Sequence, residues 1–180
     1  SPIDGMVGGI IGFNGRTAVI NSYSTGTLLG RRRVGGIAGL SHSYVRNSVA
    51  ANSLIEASDT YVFRITGDNP TTTAGQGMNL HNYARQDMKV KESGTVRVPS
   101  HTNVNSQSGG DRPFAELLQS SLYETLGWDL QAVWAIAEDV SLPYLKWQPV
   151  VCIPPGVDIG VGEQLDIPAT LFNAPGEVVQ

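Results

Sequence analysis

A six-residue segment that occurs twice decides the fold of this chain. Residues 7–12 read Val-Gly-Gly-Ile-Ile-Gly, and residues 34–39 read Val-Gly-Gly-Ile-Ala-Gly, 27 positions later. A degraded third copy, Val-Phe-Arg-Ile-Thr-Gly, occupies residues 62–67. A repeat of this length holds two or three short strands separated by turns, and stacked repeats bury a core that one repeat cannot. We therefore predict an all-β fold, a short parallel β-helix or β-solenoid built from coils of about 27 residues.

A second element recurs between these segments. Residues 19–24 (Val-Ile-Asn-Ser-Tyr-Ser) are echoed by residues 44–49 (Tyr-Val-Arg-Asn-Ser-Val) and again by residues 80–84. The glycine pairs are typical of sharp corners, because a residue without a Cβ lets neighbouring coils approach. The asparagines Asn21 and Asn47 suit either an amide ladder or left-handed turn positions. Arg64 replaces a repeat glycine, and we expect its side chain to be exposed.

Composition narrows the class of protein. Charged residues make up 16% of the 180 residues and the net charge is −4, which argues against a nucleic-acid partner. No apolar run approaches the roughly 18 residues needed to span a bilayer, so we predict a chain that does not span a membrane. The single cysteine, Cys152, excludes an internal disulfide and a cysteine-based metal site.

The C-terminal third changes character. Pro113 to Leu126 has helical spacing of apolar residues, with Asp111 as a candidate cap and Gly127 as a natural stop. We predict that this amphipathic helix, 113–126, and the aromatic-rich segment after it close the C-terminal end of the solenoid. We assign residues 1–148 to this solenoid. Residues 149–180, rich in Pro and Gly, form a trailing segment, either a strand pair or the start of a following module.

The repeats resemble the GLUG motif, a Gly-Leu-any-Gly core within a VGGLVG-type segment. Residues 7–12 and 34–39 match that core, Asn21 to Gly30 (NSYSTGTLLG) is similar to its second stretch, and Leu126 to Trp147 looks like a closing segment that follows such repeats in surface proteins of gut Bacteroidetes. Ser22 stands where the family commonly has cysteine. The resemblance implies a secreted or cell-surface location and adhesion, and it supplies no catalytic residues.

Two groups of residues are tentative ligand contacts. Arg31, Arg32 and Arg33 form a basic run at a coil corner, which suits an acidic glycan or a phosphate surface or is simply a solvated corner. Four aromatic residues lie within 20 positions of one another and would stack on sugar rings if exposed, or cap the solenoid if buried: Trp128, Trp134, Tyr144 and Trp147. Their interleaving with Leu130, Val133 and Ile136 favours packing.

Recognisable reactive chemistry is sparse. The Gly-Gly-x-x-Gly spacing lacks the Lys-Ser/Thr of a phosphate loop, and residues 39–43 lack the final glycine of a nucleophile elbow. His42, His81 and His101 lack metal-ligand spacing, and we expect solvated turn positions for them. The scattered carboxylates form no calcium loop, so we predict no cofactor, with calcium as the one alternative. The sequence favours a protein without catalytic activity.

Two functional hypotheses remain open. The first is a non-catalytic, adhesin-like surface module that binds a glycan or a protein. The second is a carbohydrate-active or glycan-binding β-helix that uses a lateral face. Because the repeats begin at Val7, the first coil is expected to present an edge that the native protein covers with preceding chain or pairs with another copy.

Overall fold

Parallel strands stacked in successive coils form the architecture in a computed structural model that describes residues 5–69, 79–148, 150–152, 170–172 and 178–179. Each coil contributes one short strand to each of five parallel ladders, which we number 1 to 5 in chain order. Three coils follow one another, and a partial fourth continues ladder 4. The predicted all-β solenoid is confirmed.

The strands of the five ladders have the following bounds. Ladder 1 contains Val7–Gly8, Val34–Gly35 and Val62–Phe63, and ladder 2 contains Ile11–Asn14, Ala38–Ser41 and Thr66–Asp68. Ladder 3 contains Val19–Ile20, Val45–Arg46 and Asn79–Leu80, and ladder 4 contains Tyr23–Ser24, Val49–Ala50, Tyr83–Arg85 and Gly110–Arg112. Ladder 5 contains Leu28–Gly30, Leu54–Ala57, Lys89–Glu92 and, antiparallel to its neighbour, Thr95–Arg97.

The glycine pairs lie at the corner between ladders 1 and 2, where coils approach most closely. A Cβ on Gly8 or on Gly35 would lie 2.1 Å from the carbonyl oxygen three residues further on in its own coil. A Cβ on Gly36 would lie 2.2 Å from the carbonyl oxygen of Arg64 in the next coil. Because neither distance leaves room for a methyl group, the repeat requires glycine at this corner.

The second corner element is set by backbone conformation. Asn21, Asn47 and His81 occupy equivalent places after ladder 3 and have φ of 49°, 53° and 51°. The left-handed interpretation of the two asparagines is therefore correct, because this region favours short polar side chains that bond locally. Pairing of Val19 with Val45 corrects our alignment by one residue, so that residues 45–50 are equivalent to 19–24.

The core lies inside the coils. It is built from small aliphatic side chains, and the first coil adds Val7, Ile11 and Leu28, which are only partly buried. Full burial of a Val or Ile side chain contributes roughly 1.5–3 kcal/mol. The buried members are Val19, Val34, Ile37, Ala38, Val45, Ala50, Ile55, Ala57, Val62, Ile65, Ala84, Met88 and Val90.

The C-terminal end of the stack is covered by residues 95–112 rather than by a helix. Strand Thr95–Arg97 folds back on ladder 5, and strand Gly110–Arg112 extends ladder 4. Between them, the Gln107 carbonyl accepts from the amides of Ile65 and Thr66, at 2.8 and 3.3 Å. The third coil therefore receives its backbone partners from an irregular partial coil.

Arg64 is buried in this end of the stack, so our expectation of an exposed side chain is wrong. The residue is 1% exposed. Its Nε donates to the Ser108 carbonyl at 2.9 Å, and its Nη2 donates to the Gly109 carbonyl at 3.0 Å and pairs with Asp111 at 2.6 Å. No side chain fits at Gly36, the equivalent position of the second coil. An arginine fits at position 64 because the partial coil leaves room for its side chain.

The helical segment lies within the predicted residues 113–126, but it is divided in two and covers a different surface. A 3₁₀-helix covers Phe114–Leu118 and an α-helix covers Ser120–Thr125, with extended backbone at Gln119 between them. Asp111, our candidate cap, lies in strand Gly110–Arg112, whereas Gly127, with φ of 73°, ends the helix as expected. The helix packs through Leu122 and Tyr123 against ladder 4, and therefore covers the side of the coils rather than their end.

From Phe114 onward, the chain runs back along ladder 4 from the third coil to the first. Arg85 of the third coil lies 4.5 Å from the Phe114 ring centre, the Trp128 indole donates to the Asn47 carbonyl of the second coil at 2.7 Å, and the Tyr23 ring of the first coil lies 6.1 Å from Trp134. This direction follows from the outward side chains of ladder 4, which present an apolar stripe across all three coils.

Short antiparallel pairings complete the described structure. Trp134–Ala135 pairs with Tyr144–Leu145, and Val150–Cys152, Thr170–Phe172 and Val178–Val179 form a three-stranded sheet. The Pro and Gly residues within 68–77 predict a loop there, and most of this loop lies outside the described residues, although Asp68 and Asn69 are described. No helix in the described ranges is long and apolar enough to cross a membrane.

Candidate binding surfaces

The arginine run occupies the corner between ladders 5 and 1. Arg33 has φ of 54°, and its Nε donates to Asp68 Oδ2 at 3.0 Å. The Arg32 guanidinium lies 4.8 Å from the ring centre of Tyr61, while Arg31 is exposed. An acidic residue and an aromatic face therefore hold two of the three side chains within the corner itself.

The four aromatic candidates differ in exposure. Trp128 is 4% exposed and packs within the apolar stripe, whereas Trp147 is 73% exposed. Trp134 is half-buried, with its ring centre 4.7 Å from that of Trp128, and Tyr144 is half-buried in the strand opposite Ala135. Trp128 is therefore a packed side chain, whereas Trp134 packs against Trp128 on one side and is partly exposed.

A groove of about 410 Å³ lies where this aromatic segment meets the first coil. Its aromatic surface comes from Tyr23 and Trp134, and its aliphatic surface comes from Leu28 and Leu145. Its polar groups belong to Ser24, Thr25 and Gln148. None of the described residues that line this groove carries a charge. The groove is a shallow, open depression rather than an enclosed cavity.

Burial raises the pKa of two tyrosines beside this groove, Tyr23 and Tyr123. Desolvation raises the pKa of Tyr23 above its ordinary value, and desolvation first, then the proximity of Tyr23, raises the pKa of Tyr123 further. The Tyr123 hydroxyl donates to the Leu117 carbonyl at 2.7 Å. Both phenols therefore stay protonated at neutral pH, and the groove adjoins no phenolate charge.

The histidines do not converge. His42 packs edge-on against Phe13 with ring centres 5.3 Å apart, and His81 is an exposed corner residue. His101 lines a cavity of about 530 Å³ together with Asn105 and Phe63. Among the described residues, no group of three or more His, Cys, Asp or Glu side chains is placed to hold a metal ion.

Sequence reasoning missed the part that the first coil plays in the groove. Tyr23 pairs with Val49, which in turn pairs with Tyr83, so all three residues share the outward face of ladder 4. A repeat alignment with the correct register would have shown this apolar row. The contact between Tyr23 and Trp134 joins positions far apart in sequence, and no local pattern predicts it.

Comparison with known protein families supports the resemblance of the first repeat. The family model described as the GLUG motif matches residues 4–28, a stretch that runs from the start of ladder 1 into ladder 5 of the first coil. No curated protein and no solved structure matches the chain. The resemblance seen in the repeats is therefore supported for the first coil.

Proposed function

We propose that this chain is a non-catalytic, adhesin-like interaction module of a secreted or cell-surface protein, of the type found in gut Bacteroidetes. The observation that carries the proposal is the GLUG match in the first coil of a parallel solenoid, a combination that fits a non-catalytic module of extracellular type. Such stacks present extended lateral surfaces on which turns and side chains are held at fixed spacing.

The acidic residues support this proposal through their partners. Carboxylates are the groups that acid–base catalysis on polysaccharides requires, and it requires two of them facing one substrate. Here Asp68 pairs with Arg33, Asp111 with Arg64, and Glu56 with Lys91. These three carboxylates lie on ladders 2, 4 and 5, and each is engaged by a basic side chain.

A binding screen with a parallel activity assay tests the proposal. The labelled full chain would be applied to arrays of glycans and of extracellular proteins, and the same saccharides would be assayed for new reducing ends and for unsaturated products. We expect retention on at least one class of ligand without product. Product formation that a single Asp or Glu substitution abolishes would overturn the non-catalytic assignment.

The proposed secreted or cell-surface location is tested by a separate measurement. Antibodies against this chain, applied to intact and to lysed cells of the native host and to the culture medium, should label intact cells or the medium. Exclusive labelling after lysis would contradict the secreted or surface location.

Glycan binding is the second candidate. It is favoured by the uncharged groove that Tyr23 and Trp134 line, because aromatic faces with neighbouring hydroxyl and amide groups suit sugar rings.

A further inference from the structure

We propose that the groove between the first coil and the aromatic segment binds a neutral saccharide. This inference rests on the proposed interaction module and gives it a site and a ligand class. The groove is formed by Tyr23, Thr25 and Leu28 of the first coil together with Trp134, Leu145 and Gln148.

The walls of the groove determine the chemical class of ligand. The C–H-rich face of a pyranose ring packs on the electron-rich face of an aromatic ring, and the half-buried rings of Tyr23 and Trp134 provide such surface. The Thr25 hydroxyl donates and accepts, and the Gln148 amide does both with different atoms, as the hydroxyl groups of a sugar require. Their combination selects a ring that is apolar on one face and polar at its rim.

The charges near the groove determine which saccharide. None of the described lining residues is Asp, Glu, Lys or Arg, so an acidic sugar would lose hydration there without gaining an ionic partner. The arginine corner lies between ladders 5 and 1 and contributes none of the described residues that line the groove. A neutral hexose or N-acetylhexosamine unit fits this environment better than a uronate or a sulfated sugar.

The site is rigid on both sides. Ser24, which also lines the groove, donates its hydroxyl to Asn52 Oδ1 at 2.8 Å, and its carbonyl accepts from the Ala51 amide at 2.8 Å. Trp134 is supported by Trp128, whose indole N–H is fixed on the Asn47 carbonyl. The backbone of the first coil and the aromatic wall are therefore held in place, so that ordering costs on ligand entry fall mainly on the exposed Thr25 and Gln148 side chains.

The decisive experiment blocks the groove without disturbing the core. Thr25 is exposed and lines the groove, and Thr27, two residues on, is exposed and is not among its described lining residues. The substitutions Thr25→Arg and Thr27→Arg are therefore a matched pair with equal charge. The full chain and both variants would be titrated with neutral hexose and N-acetylhexosamine oligomers, and with polygalacturonate and heparin, by calorimetry and by tryptophan fluorescence.

We expect a neutral oligomer to bind and to change the tryptophan fluorescence. Thr25→Arg should weaken its affinity at least tenfold, Thr27→Arg should leave it within twofold, and Gln148→Ala should weaken it severalfold. Absence of binding by every neutral oligomer, preference for the acidic polymers, or equal affinity in the two arginine variants would overturn the inference.

The failure of this inference can be told apart from failure of the proposed function. Retention of the chain on a protein ligand without saccharide binding overturns the saccharide site and leaves the interaction module intact. Binding at the groove followed by cleavage of the saccharide supports the site and overturns the non-catalytic assignment.

Discussion

The two ends of the coil stack solve the same problem in different ways. At the C-terminal end, residues 95–112 fold over the third coil, and Arg64 bonds to the carbonyls of Ser108 and Gly109 beneath them. At the N-terminal end, each strand of the first coil forms the outer edge of its ladder, and no described strand pairs with its outer side. Phe13 and Ile20 of that coil are 49% and 44% exposed.

The difference teaches where the repeat must be kept and where it must be lost. Gly36 is required because another coil stacks directly against it, as the 2.2 Å from its virtual Cβ to the Arg64 carbonyl shows. The equivalent residue in the third coil faces an irregular segment, and there an arginine fits and satisfies backbone carbonyls. The degraded third repeat therefore marks the end of regular stacking.

The largest effect is expected when this closure is removed. Arg64→Ala takes away the hydrogen bonds to the Ser108 and Gly109 carbonyls and leaves Asp111 without its pair. Each buried carbonyl left without its charged donor costs about 1–3 kcal/mol, whereas Asp111 is 42% exposed and adds little. We therefore expect the free energy of unfolding to fall by about 2–5 kcal/mol. Denaturant titration followed by circular dichroism measures the change.

The control is an arginine on the surface. Arg46 lies in ladder 3 with an exposed side chain, so Arg46→Ala should change the free energy of unfolding by no more than about 0.5 kcal/mol. Equal losses in both variants would show that the Arg64 contacts contribute nothing particular to this end of the stack.

The corner between stacked coils should give the next largest effect. In Gly36→Ala, the new methyl group would lie 2.2 Å from the Arg64 carbonyl oxygen and 2.7 Å from the Ala50 side chain, so the coils must separate locally. Overpacking of this kind costs about 1–3 kcal/mol. Thermal unfolding should show a lower midpoint.

Gly26→Ala is the matched control for the corner. A Cβ there meets no atom within 4 Å, and the substitution should leave stability unchanged or raise it by up to about 1 kcal/mol. A stable Gly36→Ala protein would mean that close approach of the coils does not restrict this corner.

The sequence predicts the middle of the molecule better than its ends. A period of 27 residues with paired glycines predicts coils and corners, because each coil meets the same neighbours. The burial of Arg64 depends on a segment more than 40 residues away, and no periodicity reports it. The apolar spacing around Leu122 predicts a buried helix face, but the side that it covers is set by the outward row Tyr23, Val49 and Tyr83.

The candidate groove shows the same division. The aromatic residues of the C-terminal segment are visible in the sequence, and Trp134 does line a groove. Its opposite wall, Tyr23, could not be assigned, because the contact between Tyr23 and Trp134 joins positions far apart in sequence. The outward row Tyr23, Val49 and Tyr83 was missed because our alignment of the second repeat element was one residue out of register. In a strand, a slip of one residue exchanges inward and outward faces.

The smallest effect is expected at the N-terminal edge. Unpaired strand edges with exposed apolar residues favour association between chains, so we predict weak, concentration-dependent self-association of this 180-residue chain. Phe13→Lys places a charge on the edge strand Ile11–Asn14 and should shift the chain toward monomer. Sedimentation velocity over a wide concentration range measures the shift.

A substitution at the opposite end separates edge pairing from general surface hydrophobicity. Val98 is 90% exposed and follows the antiparallel strand Thr95–Arg97, so Val98→Lys removes exposed apolar surface without changing the first coil. If the edge directs association, Phe13→Lys reduces it and Val98→Lys leaves it unchanged. The prediction is contradicted if the parent chain is monomeric at every concentration or if the two variants respond equally. Either result would mean that the first coil needs no partner for its edge, so that the two ends do not differ in this respect.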